Sequence, residues 1–104
     1  MLFDLQRRTV AGTEVVAVIG DVDLASLPGL ATALGDLGEV GPGGEVTLDL
    51  GGVDYFDPVC LGALVAADLR VRRAGGVMTL LAGDAVRDLL IETRMSEIMR
   101  VVEP

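Results

Sequence analysis

The chain predicts an α/β fold: one domain, residues 1–104, with a mixed β-sheet packed by about four helices. An antiparallel N-terminal hairpin is expected to open the sheet, with parallel strands after it. Three observations carry this. Two strand-like segments open the chain with only a turn between them. Beyond them the apolar spacing switches repeatedly between a period of two and a period near 3.6. Gly, Pro and Asp collect at the switches, where turns and helix starts need them. The order β-β-α-β-α-β-α-α then implies parallel pairing after the hairpin, with helices laid on the sheet.

Phe3 and Leu5 alternate with Asp4 and Gln6, as in a half-buried strand, and Ala11-Gly12-Thr13 supplies the turn. Val15 to Ile19 is continuously apolar, the pattern of a strand covered on both faces. Gly20-Asp21-Val22-Asp23 leaves it. Ser26 is the expected N-cap of a first helix carrying Leu27, Leu30, Ala31 and Leu34, with Pro28 in its first turn. Gly35 and Gly38 weaken its end, and Gly41-Pro42-Gly43-Gly44 reads as a connector, since no strand precedes it and no helix follows.

The centre of the chain is Val46 to Val71. Val46, Leu48 and Leu50 alternate with Thr47 and Asp49 as a strand. After Gly51-Gly52, Asp54 and Tyr55-Phe56, Asp57 and Pro58 open a second helix with Leu61, Leu64, Val65 and Leu69 at helical spacing. Aspartate caps a free amide, and proline at the first position has none to leave unpaired. Arg70, Arg72 and Arg73 suit the negative end of the helix dipole, and Gly75-Gly76 stops it. Val77 to Ala82 is a further strand. Gly83-Asp84 leads into a third helix with Val86, Leu89 and Leu90 on one face. Met95, Ile98 and Met99 mark a short last helix as core residues, and Val101-Val102 an extended end.

Composition removes most chemistry. Half the residues are hydrophobic but only three are Phe or Tyr, so the core is aliphatic. There is no His, Lys, Asn or Trp, and all eight basic residues are Arg. A phosphate-binding loop lacks its lysine, a histidine triad its base, and a single cysteine cannot anchor a thiolate zinc site. No cofactor and no enzymatic activity are expected. A net charge of −8 argues against nucleic acid, because Arg7-Arg8 and Arg72-Arg73 are too few cations to track a phosphate backbone. No apolar run approaches the ~20 residues that span a bilayer, so direct membrane insertion is not expected. Met1 to Arg8 lacks the apolar core of a signal peptide, and a lone Cys fits a reducing compartment. A cytoplasmic location is expected.

Gly20-Asp21-Val22-Asp23…Pro28-x-Leu30, then Val46-x-Leu48-Asp49-Leu50, Phe56-Asp57 and Ala74-Gly75-Gly76, in this order and spacing, resemble the STAS domains. The likeness covers nearly the whole chain and is strongest to stand-alone bacterial anti-sigma factor antagonists. It implies a single STAS-like domain whose partner is an anti-sigma factor, usually a serine kinase. It also implies transcription regulation by partner switching. In that family the kinase phosphorylates a Ser or Thr in the pattern Asp-Ser-Ser/Thr-Gly-Leu-Gly, which switches the antagonist off. This chain reads Asp57-Pro58-Val59-Cys60-Leu61-Gly62. Asp57, Leu61 and Gly62 match, but Val59 stands at the acceptor position and has no oxygen to phosphorylate. Ser26, Thr32, Thr47, Thr79, Thr93 and Ser96 lie far from this site in sequence.

The expected partner-binding surface is therefore Asp57, Pro58, Val59, Cys60 and Leu61, with Asp21 and Asp23 on the adjoining rim, and no phosphorylation there. Asp21 and Asp23 read equally well as turn formers in a solvated loop, and Asp57 is first of all a cap. Cys60, near a helix start, could be a low-pKa redox thiol; a small buried residue is the better reading. A magnesium site from Asp49, Asp54 and Asp57 is disfavoured, for want of a lysine and because Asp49 sits at a different depth. Two other readings remain: a STAS subunit of a membrane (lipid) transport ATPase complex, or a STAS domain that senses a small ligand or nucleotide.

Overall fold

The computed structural model describes residues 2–39 and 42–104. Strands β1 (Asp4–Val10) and β2 (Thr13–Val22) form the expected antiparallel hairpin, in register from Asp4–Ile19 to Val10–Thr13. Helix α1 (Leu27–Gly35) leads to β3 (Glu45–Phe56), α2 (Leu61–Arg73) to β4 (Val77–Leu81), and α3 (Asp84–Glu92) to β5 (Arg100–Val102). The strands lie in chain order, β1-β2-β3-β4-β5, and every pairing after the hairpin is parallel. Each crossover steps one strand over in the same direction, so right-handed connections place all three helices on one face.

That face holds the core: Val16 and Val18, Val46, Leu48 and Leu50, Met78 and Leu80, under Leu30, Leu34, Leu64, Val71, Val86 and Leu90. On the other face Thr47, Asp49, Thr79 and Leu81 are half-buried, and Val77 and Val102 are exposed. Leu81 apart, the alternation along β3 and β4 is the one-sided pattern of a sheet covered by helices on one side only. The fourth expected helix is only a 3-10 turn, Met95–Glu97, with Arg94 ahead of it in the left-handed region. Ile98 is exposed, whereas Met99 is buried.

The strands run further than the sequence periods indicate. Gly20-Asp21-Val22 belongs to β2 and Gly51 to Phe56 to β3, because the two strands stay paired as far as Val22–Phe56. Two register shifts, between Ala17 and Ile19 and between Gly20 and Asp21, absorb the irregularity. A side chain at Gly52 would meet Ile19 at 3.3 Å and the Val18 carbonyl at 3.5 Å, which accounts for glycine inside a strand. Of the Gly41–Gly44 connector, Gly41 lies outside the described residues, and Pro42-Gly43 forms a turn.

The hairpin turn uses Ala11 at φ 50° and Gly12 at φ 83°. Both central positions of a two-residue hairpin of this hand need positive φ, which glycine tolerates and alanine does not. Ala11→Gly should therefore raise unfolding stability by about 1 kcal/mol, read as a higher midpoint in urea. No gain would mean that the turn relaxes in solution. At the end of α2 the Gly76 amide donates to Val71 and the Gly75 amide to Arg72, both at 2.9 Å, with Gly75 at φ 84°. This is the expected glycine stop, in Schellman form.

The buried side of α2 is Leu64, Ala67, Asp68 and Val71. Leu69, expected to face inward, is 44% exposed, and Asp68, a carboxylate, is only 4% exposed in its place. Asp68 pairs with Arg72 at 3.0 Å, one turn on, and Arg72 in turn donates to the Ile98 carbonyl. Burial raises the Asp68 pKa, and the Arg72 charge only partly offsets it. A carboxyl with a raised native pKa binds its proton more tightly folded than unfolded, so its contribution to stability falls as pH rises through that window. The stability difference between Asp68→Asn and wild type should therefore move in favour of the variant as pH climbs from about 4. Parallel urea titrations across pH check this; a constant difference would place the Asp68 pKa at its ordinary value.

Candidate functional site

The rim at the ends of β2 and β3 brings together most residues singled out in the sequence. The Asp57 amide donates to the Val22 carbonyl at 2.8 Å, tying the start of the second helical segment to the end of β2. Asp57 Oδ1 accepts from the Val59 amide at 3.0 Å. The expected cap is thus formed, with Pro58 at the first helical position. The segment begins as a 3-10 turn, Pro58–Cys60, and continues directly into α2. Pro58 and Val59 face solvent, Val59 57% exposed, and Leu61 is half-buried against the core.

Cys60 breaks this run. Its side chain is wholly buried in the core cluster, so the surface expected over residues 57–61 is interrupted there. Burial, then the charges of Asp57 and Asp23, push its thiol up. That direction is opposite to the lowering a helix start alone would give, and with the burial it fits a small core residue better than a reactive thiol. A thiol reagent should label Cys60 only as fast as the protein unfolds. Labelling of the native protein at the rate of a free thiol, followed by absorbance, would show that the rim opens.

On the β2 side, Ser26 stands at the expected N-cap position of α1 but its side chain caps no helix amide, and the capping bond comes from Asp23. Asp23 Oδ1 accepts from the Ser26 amide at 3.0 Å, and the Asp23 amide donates to Ser26 Oγ at 2.9 Å. The Leu27 amide donates to the Asp23 carbonyl at 2.9 Å. Asp23 therefore caps the turn that feeds α1, and Ser26 closes the reciprocal bond, as in a capping box. The Ser26 hydroxyl reaches the Asp21 carbonyl at 3.1 Å, which pins the backbone of the rim. Asp21 and Asp23 are half-buried and line an open cleft of about 680 Å³ with Leu2, Phe3, Ala25 and Ser26.

Leu24 belongs to this rim and was not legible as such: it follows Asp23 in a turn and is largely exposed. The signal was an isolated leucine between two capping residues, outside both periods. Tyr55 sits opposite Asp21 in the β2–β3 ladder and is also exposed. Asp49, Asp54 and Asp57 do not converge. Asp49 accepts from the Gly51 amide at 2.9 Å, and no group of three possible metal ligands occurs among the described residues.

The arrangement is a hydrogen-bonded, acidic-edged lip with an uncharged aliphatic tip at Pro58-Val59. An apolar centre with a polar rim is a common anatomy of a protein contact.

A STAS family model, described as "Mlab, STAS domain", matches residues 5–103. Among proteins with curated descriptions, none matches the chain significantly. Several solved structures share the fold. An anti-sigma factor antagonist from Mycobacterium paratuberculosis superposes with a TM-score of 0.82 at 23% identity, covering 99% of this chain and 86% of that one. An anti-sigma factor antagonist (STAS) domain protein from Planctomyces limnophilus gives 0.79 at 17% identity, over 96% and 90% of the two chains. The anti-sigma factor antagonist SpoIIAA in its unphosphorylated form gives 0.67 at 14%, over 99% and 89%. These likenesses establish the shared architecture, and the match of the family model over nearly every residue establishes kinship: the chain belongs to the STAS domain family represented by Mlab.

Proposed function

We propose that the protein is a non-catalytic binding module of the anti-sigma factor antagonist type, cytoplasmic, which regulates transcription by holding a serine-kinase-type anti-sigma factor. The docking surface is the tip Asp57, Pro58, Val59 and Leu61 with the rim Asp21, Asp23 and Leu24; Cys60 supports it from below. The observation that carries this reading is the exposed Val59 at the position where the family's acceptor hydroxyl stands. A phosphate there would add about −1.5 to −2 charges beside the free amides of a helix start. Valine cannot take one, so the tip stays apolar and competent at all times.

The loss of the acceptor also favours a second reading, a permanent STAS subunit of a membrane lipid-transport ATPase, since a contact that is never released needs no switch. Affinity capture from the native host followed by reconstitution separates the two. Direct binding to a purified anti-sigma kinase supports the first, and binding to an ATPase subunit supports the second. Binding to neither, with tight uptake of a nucleotide in calorimetry, would replace both with ligand sensing.

A further inference from the structure

We infer that β1 is a self-complementary edge, through which two copies of the chain pair antiparallel into one continuous sheet. β1 lies at the margin of the sheet and pairs only with β2. It runs seven residues without proline and without a register shift. Natural edges are commonly blunted by shortness, proline or a bulge. The opposite edge, β5, is short, three residues. β1 has none of these three; its charged residues Asp4, Arg7 and Arg8 are the remaining means of blunting an edge, and their order decides what can pair there.

The hairpin geometry shows which backbone groups point outward. With a two-residue turn, Val10 and Thr13 form the closing hydrogen-bonded pair, and such pairs then alternate up the ladder. Asp4, Gln6, Arg8 and Val10 thus bond to β2, while Leu5, Arg7 and Thr9 direct amide and carbonyl away from it. The Leu5 amide points outward and is held in the single chain by Asp4 Oδ1 at 2.9 Å; pairing exchanges that bond for one to the other copy and releases Asp4 to Arg8. A second antiparallel β1 must pair outward residues with outward residues.

The side chains then select the register. Leu5 packs toward the core opposite Val18, so the even-numbered residues lie on the uncovered face. Read from Leu2, just ahead of the strand, that face is Leu2, Asp4, Gln6, Arg8, Val10: apolar, acid, amide, base, apolar. Centred on Gln6, a two-fold axis sets Leu5 against Arg7 of the other copy as a hydrogen-bonded pair. Asp4 then faces Arg8 twice, as non-hydrogen-bonded pairs, in which side chains approach most closely. Leu2, 90% exposed, meets Val10, 50% exposed. The next permitted register, centred on Arg7, opposes Arg7 to itself and forms no ion pair. Arg8 has no hydrogen-bond or ion-pair partner among the described residues. Arg7, by contrast, is held by Glu14 and Asp36.

The occupant of the edge is a second copy because the charge order matches its own reverse. The contact is isologous and closes after two copies. The antiparallel arrangement puts the two Asp21–Asp23 rims at opposite ends of the shared ladder, so a dimer presents two docking tips. The interface is small, which makes the association concentration-dependent.

Sedimentation equilibrium from about 1 µM to about 1 mM tests this at low salt, on the wild type, Asp4→Arg, Arg8→Asp and the double exchange. The wild type should pass from monomer to dimer with rising concentration and stop there. Each single substitution turns two attractive pairs into two repulsive ones, and should weaken dimerisation at least about tenfold. The double exchange restores both pairs and the dimer, as does an equal mixture of the two single variants. Unchanged circular dichroism keeps the comparison free of misfolding. A wild type that stays monomeric throughout, or a dimer indifferent to the single substitutions, would overturn the proposal.

Discussion

Replacing Leu48 by alanine lowers the unfolding free energy by about 3 kcal/mol and the melting midpoint by about 15 °C. Leu48 lies midway along the buried stretch of β3, the central strand, fully excluded from solvent. Its register partners are Val16 on one side and Leu80 on the other. Both neighbours are themselves buried and anchored in their own strands, so neither can move far into the space left behind. The loss therefore combines the transfer of the removed carbons with a cavity that stays open. With only three aromatic side chains in the chain, no large ring nearby can swing in to fill it. A typical domain has only about 5–15 kcal/mol in total, so this single truncation removes a large part of the margin. Urea unfolding of the variant reads the effect, and a loss under about 1 kcal/mol would mean that β3 is not the packed centre of the sheet.

Val59→Glu acts on binding instead. The residue is exposed, so its removal leaves no cavity, and a carboxylate at a helix start is favoured by the dipole. Stability should stay within about 0.5 kcal/mol of wild type. For a docking partner the change is severe: the aliphatic tip gains a charge beside Asp57 and Asp23, and that charge must be desolvated on contact. Affinity for the captured partner should fall at least about tenfold, equivalent to 1.4 kcal/mol. Titration calorimetry with the purified partner checks it. Undiminished binding would move the contact face away from the helix start.

The sequence disclosed the parts whose signals are local. Ala11-Gly12 marks a hairpin, Asp57-Pro58 a helix start and Gly75-Gly76 a helix end; each is formed as expected because the residue and its neighbours suffice to dictate it. What escaped depends on partners distant in sequence. Gly51-Gly52 breaks the strand period, yet remains in β3 because β2 lies alongside, with Ile19 packed against Gly52. Asp68 carries no apolar signal, yet its place among Leu64, Ala67 and Val71 buries it, with Arg72 as its ion-pair partner. Leu69 and Ile98 show the converse, apolar residues that the packing leaves outside. At the rim, Ser26 and Asp23 are both good caps, and composition alone could not choose between them. Cys60 follows a core position of the helix and not the helix dipole.

On the proposed function the helix tip is docking-competent at all times, since Val59 has no oxygen to accept phosphate. The most direct measurement is the affinity of wild-type protein for its purified kinase partner, before and after prolonged incubation with that kinase and ATP. The dissociation constant should be the same in both, with no phosphate on the protein by mass spectrometry. Loss of binding that follows ATP, with phosphate on any residue of this chain, would contradict it.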